Sequence, residues 1–133
     1  HPEYRRQRQM CIRDSIERAQ ELRDKYDKRV RVEKWSSLNE IVATCNNIIN
    51  TTSLGMNDET AININPEAIS EKALISDLVY TPLETNLLKI AKNRKIRFVD
   101  GLGMLIHQGV PGFEAWFGKT PLITEDLREL LLQ

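Results

Sequence analysis

The sequence predicts an α/β fold, a parallel β-sheet flanked by helices. Two observations carry the prediction. Segments of strand length, apolar or β-branched, alternate with segments whose apolar residues recur every three or four positions. The connections between them are short, which is the pattern of consecutive βαβ units.

The elements follow in chain order. Ile16, Ala19, Leu22 and Tyr26 recur at helical spacing behind Ser15, a capping residue, with charged residues between them. "VRVEKW" alternates as a strand does. Ser37 and Glu40 form a capping-box pair that opens a helix burying Leu38, Ile41, Val42 and Cys45 and stopping near Asn46. "NIINTTS" gives a β-branched strand over residues 48–52, closed by Ser53 and Gly55. "MNDETAININPEAISEK" reads as a polar loop with one helical turn after Pro66. "ALISDLVY" is a mostly apolar strand. The helix after it carries Leu87, Leu88 and Ala91, and either Thr81, with Pro82 and Glu84 behind it, or Thr85 supplies its cap. "KIRFVDG" is the next strand, and Asp100 caps a helix running from Leu102 to Phe117. A last helix spans residues 124–132, with Leu127, Leu130 and Leu131 on one side.

Composition narrows the classes of function. At 133 residues the chain makes one domain at most, and 41% hydrophobic with 29% charged residues is the balance of a soluble globular protein. No apolar run approaches the roughly 20 residues of a membrane helix. Net charge is zero, yet most Lys and Arg precede Ser36 and the remainder is net acidic. Cys11 and Cys45 lie far apart without partners at metal-ligand spacing, which predicts free thiols in a reducing cytoplasm and no metal site. The opening "HPEYRRQRQMCIRDS" is charged with no apolar core after it, so it is not read as a signal peptide. Within it, "RRQRQMCIRDS" from Arg5 to Ser15 resembles the translation of an adapter used in transposon-based sequencing libraries. Residues 1–15 are accordingly read as non-native. The competing reading is a basic arm for nucleic acid, with Arg5, Arg6, Arg8 and Arg13 on phosphates, but no aromatic or glycine interleaving supports it.

Parallel sheets place ligands at the carboxyl ends of their strands. Those ends here, residues 50–56, 80–83 and 100–104, are expected to line one crevice. On the helix that begins there, Leu102, Leu105, Ile106, Gly109, Phe113, Trp116 and Phe117 form an apolar stripe expected to face the core. Gly101, Met104 and Gln108 share a second face. His107 and Glu114 point to solvent on a third, and nothing near His107 would orient it as a base. Gly101 and Gly103 are either turn glycines or places where a ligand or another backbone comes close. Pro111 removes a bond to the His107 carbonyl, a source of a kink near Gly109.

Three blocks in order, "IINTTSLGM" (48–56), "DLVYTPLETNLLK" (77–89) and "VDGLGMLIHQG" (99–109), resemble the C-terminal half of the shikimate dehydrogenase family, and the likeness covers about Ser15 to the end. It implies an incomplete Rossmann-like sheet, NADP as cofactor, and reduction of 3-dehydroshikimate to shikimate in the cytoplasm. Asn50, Thr51, Thr52 and Ser53 match the strand end beside the nicotinamide, with Thr51 where the family has Ala. Leu78 and Met104 match side chains at the nicotinamide, and Gly101 a backbone contact to the cofactor. Tyr80 matches the group reaching the substrate carboxylate, and Gln108 the group bonded to substrate hydroxyls. In the motif that grips the NADP 2′-phosphate only Ser15 and Arg18 fit, and Asp14 would repel it.

The departures are as specific. The family's Gly-rich pyrophosphate turn has no counterpart, and neither has the substrate domain with the lysine and aspartate used for proton transfer. Residues 16–133 are therefore expected to form the C-terminal part of a dinucleotide-binding domain with closing helices, inactive alone. The implied partners are a small-molecule substrate and no nucleic acid or membrane. An NAD-dependent quinate or shikimate dehydrogenase and a non-catalytic α/β binding domain stand as alternatives. The strand from Ile48 is expected to have one uncovered edge and "VRVEKW" to lack its natural neighbour, giving a marginal, aggregation-prone product.

Overall fold

The alternation of strand and helix patterns is realised as two small parallel sheets. The computed structural model describes residues 8–12, 16–26, 30–57 and 60–132. Where length alone predicts one domain, the chain divides into two compact units, His1–Cys45 with Ile64–Ser70, and Asn46–Asn63 with Glu71–Gln133.

In the first unit, β1 (Arg8–Ile12) runs parallel to β2 (Val30–Lys34), Arg8 opposite Val30 and Ile12 opposite Lys34, with α1 (Ile16–Tyr26) between them in sequence. "VRVEKW" thus pairs with part of the adapter-like stretch: a ladder is made by backbone groups, and an extended segment with free N–H and C=O groups satisfies it. Of the apolar positions of α1 only Ala19 is buried; Ile16, Leu22 and Tyr26 are exposed. The capping box at Ser37 does not form. Trp35–Ser37 is already a 3-10 turn that leads into α2 (Leu38–Val42), so Ser37 has a near-helical backbone and its side chain caps nothing. The predicted turn after Pro66 is present at Pro66–Ala68, capped by Asn65, whose N–H also donates to Asn39 Oδ1 at 2.8 Å.

The second unit holds the three-stranded parallel sheet β3 (Asn47–Asn50), β4 (Leu74–Asp77) and β5 (Arg97–Val99), in that order. Its central strand is deeply buried through Ile75 and Asp77, whereas Ile49, Phe98 and Val99 on the outer strands are exposed. Helix α3 (Asn86–Asn93) covers the sheet with Leu87, Leu88 and Ala91, the three residues predicted to face inward. Of the two candidate caps the structure selects Thr85, whose Oγ1 accepts from Leu88 N. Asp100 caps α4 (Gly101–Phe117) through Leu102 N, Gly118 ends it in the left-handed region, and the helix continues through Pro111. Thr124 caps α5 (Glu125–Leu130).

The apolar stripe of α4 departs from expectation. Leu102 is buried and Leu105 and Ile106 are half-buried, but Phe113, Trp116 and Phe117 are exposed, Trp116 by 82%. Burial fades along the helix because its first turn is the part set against the end of β4, and further along it packs against the short α5.

Candidate functional site

The three carboxyl ends do meet, and a buried polar cluster joins two of them, those of β3 and β4. In the parallel register Asn50 of β3 stands opposite Asp77 of β4, which places their side chains side by side. Asn50 Nδ2 donates to Asp77 Oδ1 at 2.9 Å and to the Leu54 carbonyl at 3.3 Å. Asn50 Oδ1 accepts from Thr52 N at 3.0 Å and Thr52 Oγ1 at 2.7 Å, and Thr52 Oγ1 accepts in turn from Leu54 N. These bonds turn the chain away from the sheet, which is why β3 ends at Asn50 and not at Thr52 as the β-branched run predicts. Asp77 Oδ1 also accepts from Val79 N at 3.0 Å, and Oδ2 accepts from Thr85 Oγ1 at 2.6 Å. Asn50, Asp77 and Thr85 are 5%, 1% and 2% exposed.

Around this cluster lies an open rim. Thr51 and Ser53 are exposed beside Asn50, Leu78 is half-buried, Tyr80 is exposed, and Leu78 N donates to the Asn50 carbonyl at 3.0 Å. Residues 51–57 fold back over the start of α3. A Cβ on Gly55, whose φ is +87°, would lie 3.6 Å from Thr85 Cβ, and Asn57 N donates to the Thr81 carbonyl at 3.1 Å.

The third segment joins through a glycine. A Cβ on Gly101 would lie 2.5 Å from the Leu78 carbonyl oxygen and 2.6 Å from that of Val79. Of the two readings left open, Gly101 is a close-approach glycine and the neighbour is backbone; Gly103 has open space on its Cβ side. Because Gly101 sits on the end of β4, the face it shares with Met104 and Gln108 starts there, and both of those side chains are exposed. Asp100 is fixed from outside by Arg128 of α5, whose Nη1 and Nη2 donate to its two carboxylate oxygens, Nη1 at 3.3 Å. That pairing raises the pKa of Arg128 above its ordinary value, with part of the effect opposed by desolvation.

The structure thus brings Asn50, Thr51, Thr52, Ser53, Leu78, Tyr80 and Gly101 together at the second unit's strand ends, while Met104 and Gln108 lie further along α4, both exposed. Arg18 lies on an exposed position of α1 in the other unit, and Ser15 lies outside the described residues. Sequence reasoning passed over Asp77, and weighed Thr85 only as a helix cap and not as part of the site. The available signal was an acidic residue at the end of the apolar strand "ALISD", since a carboxylate there must either face water or be fully bonded.

Comparison with known proteins places this geometry. Residues 101–132 match the family model described as the shikimate 5'-dehydrogenase C-terminal domain. The shikimate dehydrogenase (NADP(+)) of Rhodopseudomonas palustris is 49% identical over 117 residues, 88% of this chain and 42% of that protein. Over most of its own length the chain is similar to shikimate dehydrogenases. It spans about two fifths of the length of the curated relatives it matches. Two solved structures extend the likeness. Quinate dehydrogenase from Corynebacterium glutamicum in complex with NAD superposes with a TM-score of 0.83 at 27% identity, over 96% of this chain and 46% of that one. Shikimate 5-dehydrogenase from Listeria monocytogenes in complex with shikimate and NAD gives a TM-score of 0.72 at 25% identity, over 93% and 47%. The chain shares the Rossmann-like α/β architecture of these shikimate and quinate dehydrogenases.

Proposed function

We propose that this chain forms the nicotinamide and substrate side of an oxidoreductase that reduces 3-dehydroshikimate to shikimate with NADPH. The observation that carries the reading is the meeting of three strand ends, where the exposed Thr51, Ser53 and Tyr80 lie beside the start of α4, the helix that carries the exposed Met104 and Gln108 on the face of Gly101. That mixture fits the group. Met104 and Leu78 offer apolar cover for one side of a planar ring, and Thr51 and Ser53 offer hydrogen bonds to its polar edge. Asn50 and the Thr52 hydroxyl are consumed by bonds to one another and to Asp77 and Leu54, so their contribution is to hold Thr51 and Ser53 in place.

Reduction of the ketone adds a hydride to carbon and a proton to oxygen, and bound NADPH supplies the hydride. The residues of this chain act on the rest of the substrate. The Tyr80 hydroxyl donates to the carboxylate, and the Gln108 amide bonds to ring hydroxyls, orienting the ring for transfer. Arg18, with Ser15, is proposed to face the 2′-phosphate of the nucleotide. The proton comes from an acid outside the residues that match, as the family likeness implies.

The test is steady-state kinetics of a full-length dehydrogenase carrying these residues. Losing a hydrogen bond to a charged group, about 1.5–3 kcal/mol, is roughly a ten- to hundredfold change. Tyr80→Phe is expected to raise KM for shikimate by that factor and leave KM for NADP unchanged. Equal kcat/KM for both proteins would refute the assignment. The TM-score to the NAD-bound quinate dehydrogenase favours a second reading, quinate oxidation with NAD. Comparing kcat/KM for shikimate with NADP against quinate with NAD separates the two, and the first pair is expected to win.

A further inference from the structure

We infer that Asp77 is a positioning residue, the buried carboxylate that holds the 51–54 loop and the 78–80 turn at the separation a bound ring and substrate require. The inference deepens the dehydrogenase reading and rests on it. A carboxylate at 1% exposure with only neutral donors around it is an expensive group to bury. A fold that needed only to fill this space would do so with an apolar side chain at lower cost. What the carboxylate supplies is geometry: three donors from three segments, Asn50 on β3, Val79 N–H in its own turn and Thr85 at the start of α3, converge on its two oxygens.

The amides fixed in this way are placed where they matter. Val79 N–H lies between Leu78 and Tyr80, so pinning it sets both neighbours. Thr52 N–H, held by Asn50, lies between Thr51 and Ser53. Gly101 rests on the Leu78 and Val79 carbonyls, so a shift of that turn also displaces the first turn of α4, ahead of Met104 and Gln108. One side chain therefore references every rim segment, though it is itself too deep to touch a ligand.

The experiment is amide hydrogen exchange by NMR on the full 133-residue chain, with titrations of shikimate and of NADPH. In Asp77→Ala, exchange is expected to quicken at least tenfold at Val79, Thr52 and Leu54 while Ile75 stays protected, and the shikimate Kd to rise about tenfold. Asp77→Asn keeps an acceptor for Val79 and Asn50 but offers none to the Thr85 hydroxyl. Its Kd is expected to rise only about threefold, which provides the measurement if Asp77→Ala does not fold. Leu88→Ala, which trims a buried apolar side chain and keeps the Leu88 N–H bond to Thr85 Oγ1, should cost stability and leave the Kd within twofold. Unchanged exchange at Thr52 and Leu54 in Asp77→Ala, an unchanged Kd in Asp77→Asn, or equal loss of affinity in Leu88→Ala would each overturn the inference. If the unsubstituted chain binds neither ligand, exchange at Thr52 and Leu54 alone decides whether Asp77 couples the loops.

Discussion

Replacing Gly101 with alanine adds one methyl group where the structure has no room for it. The new carbon would lie 2.5, 2.6 and 2.7 Å from Leu78 O, Val79 O and Leu78 C, and ordinary contact begins near 3.4 Å. Relief requires a displacement of roughly 0.5–1 Å, and because all three atoms are backbone, no rotamer change supplies it. Overpacking of this kind costs about 1–3 kcal/mol, against which alanine returns at most about 1 kcal/mol of helix propensity. A net loss of about 1–2 kcal/mol corresponds to a fall in Tm of roughly 5–15 °C for a unit of this size. Gly103→Ala is the matched control, two residues along the same helix with nothing within 4 Å of its added carbon, and it should be neutral or stabilise by up to about 1 kcal/mol. Circular dichroism melts of the three proteins decide the matter. If Gly101→Ala melted at or above the unsubstituted chain, or together with Gly103→Ala, the close approach of α4 to the end of β4 would be wrong.

Asp100 has two duties, capping Leu102 N and pairing with Arg128, so Asp100→Ala is expected to cost about 1–2 kcal/mol in urea unfolding and Arg128→Ala about half as much, with only the latter loss shrinking in high salt. The folded pKa of Arg128 is raised, so its contribution is fully present below the unfolded value and is lost only as pH rises through the folded one; melts in neutral and mildly alkaline buffer should show the same contribution. Phe113, Trp116, Phe117 and Leu122 leave a broad apolar surface, and sedimentation velocity should show concentration-dependent association that Trp116→Glu with Leu122→Lys abolishes; a monomer at all concentrations with a sharp melt would contradict this. The 133-residue chain mixed with NADPH and 3-dehydroshikimate should oxidise NADPH no faster than the blank, and turnover near that of a complete dehydrogenase would show that the proton donor lies within these residues.

How much was legible depended on whether a residue's partner was local. The cap at Asp100, the turn at Pro66 and the inward face of α3 each follow from neighbours within four positions, and all were readable. The choice of Thr85 over Thr81 was not, because its hydroxyl is anchored by Asp77, eight residues earlier and on a different element. Ser37 and Glu40 satisfied the pattern of a capping box, but the preceding 3-10 turn had already made Ser37 helical, a matter of how the chain leaves β2. Periodicity identified the apolar stripe of α4 correctly and its burial wrongly, since a pattern states which residues share a face and not how far the sheet extends beneath it. The rim was anticipated from topology and the residue identities from family likeness; the cluster beneath it depends on the register that sets Asn50 opposite Asp77.

That register leads to one more expectation. The Asp77–Val79 segment receives Asn50 and Thr85 on its side-chain bonds and Gly101 on its carbonyls, so both supports act on the same two peptide units. If Asp77→Ala lets Leu78 and Val79 relax, the carbonyls that clash with an alanine at 101 gain freedom to retreat, and the second substitution then costs less than it does alone. The double variant should therefore be more stable than the sum of the single losses by about 0.5–1 kcal/mol, the range found for groups that share a backbone shift. Independent sites would add within about 0.3–0.5 kcal/mol. Strict additivity in urea unfolding would mean that the turn is rigid without Asp77, and that the carboxylate and the helix start act on the rim separately.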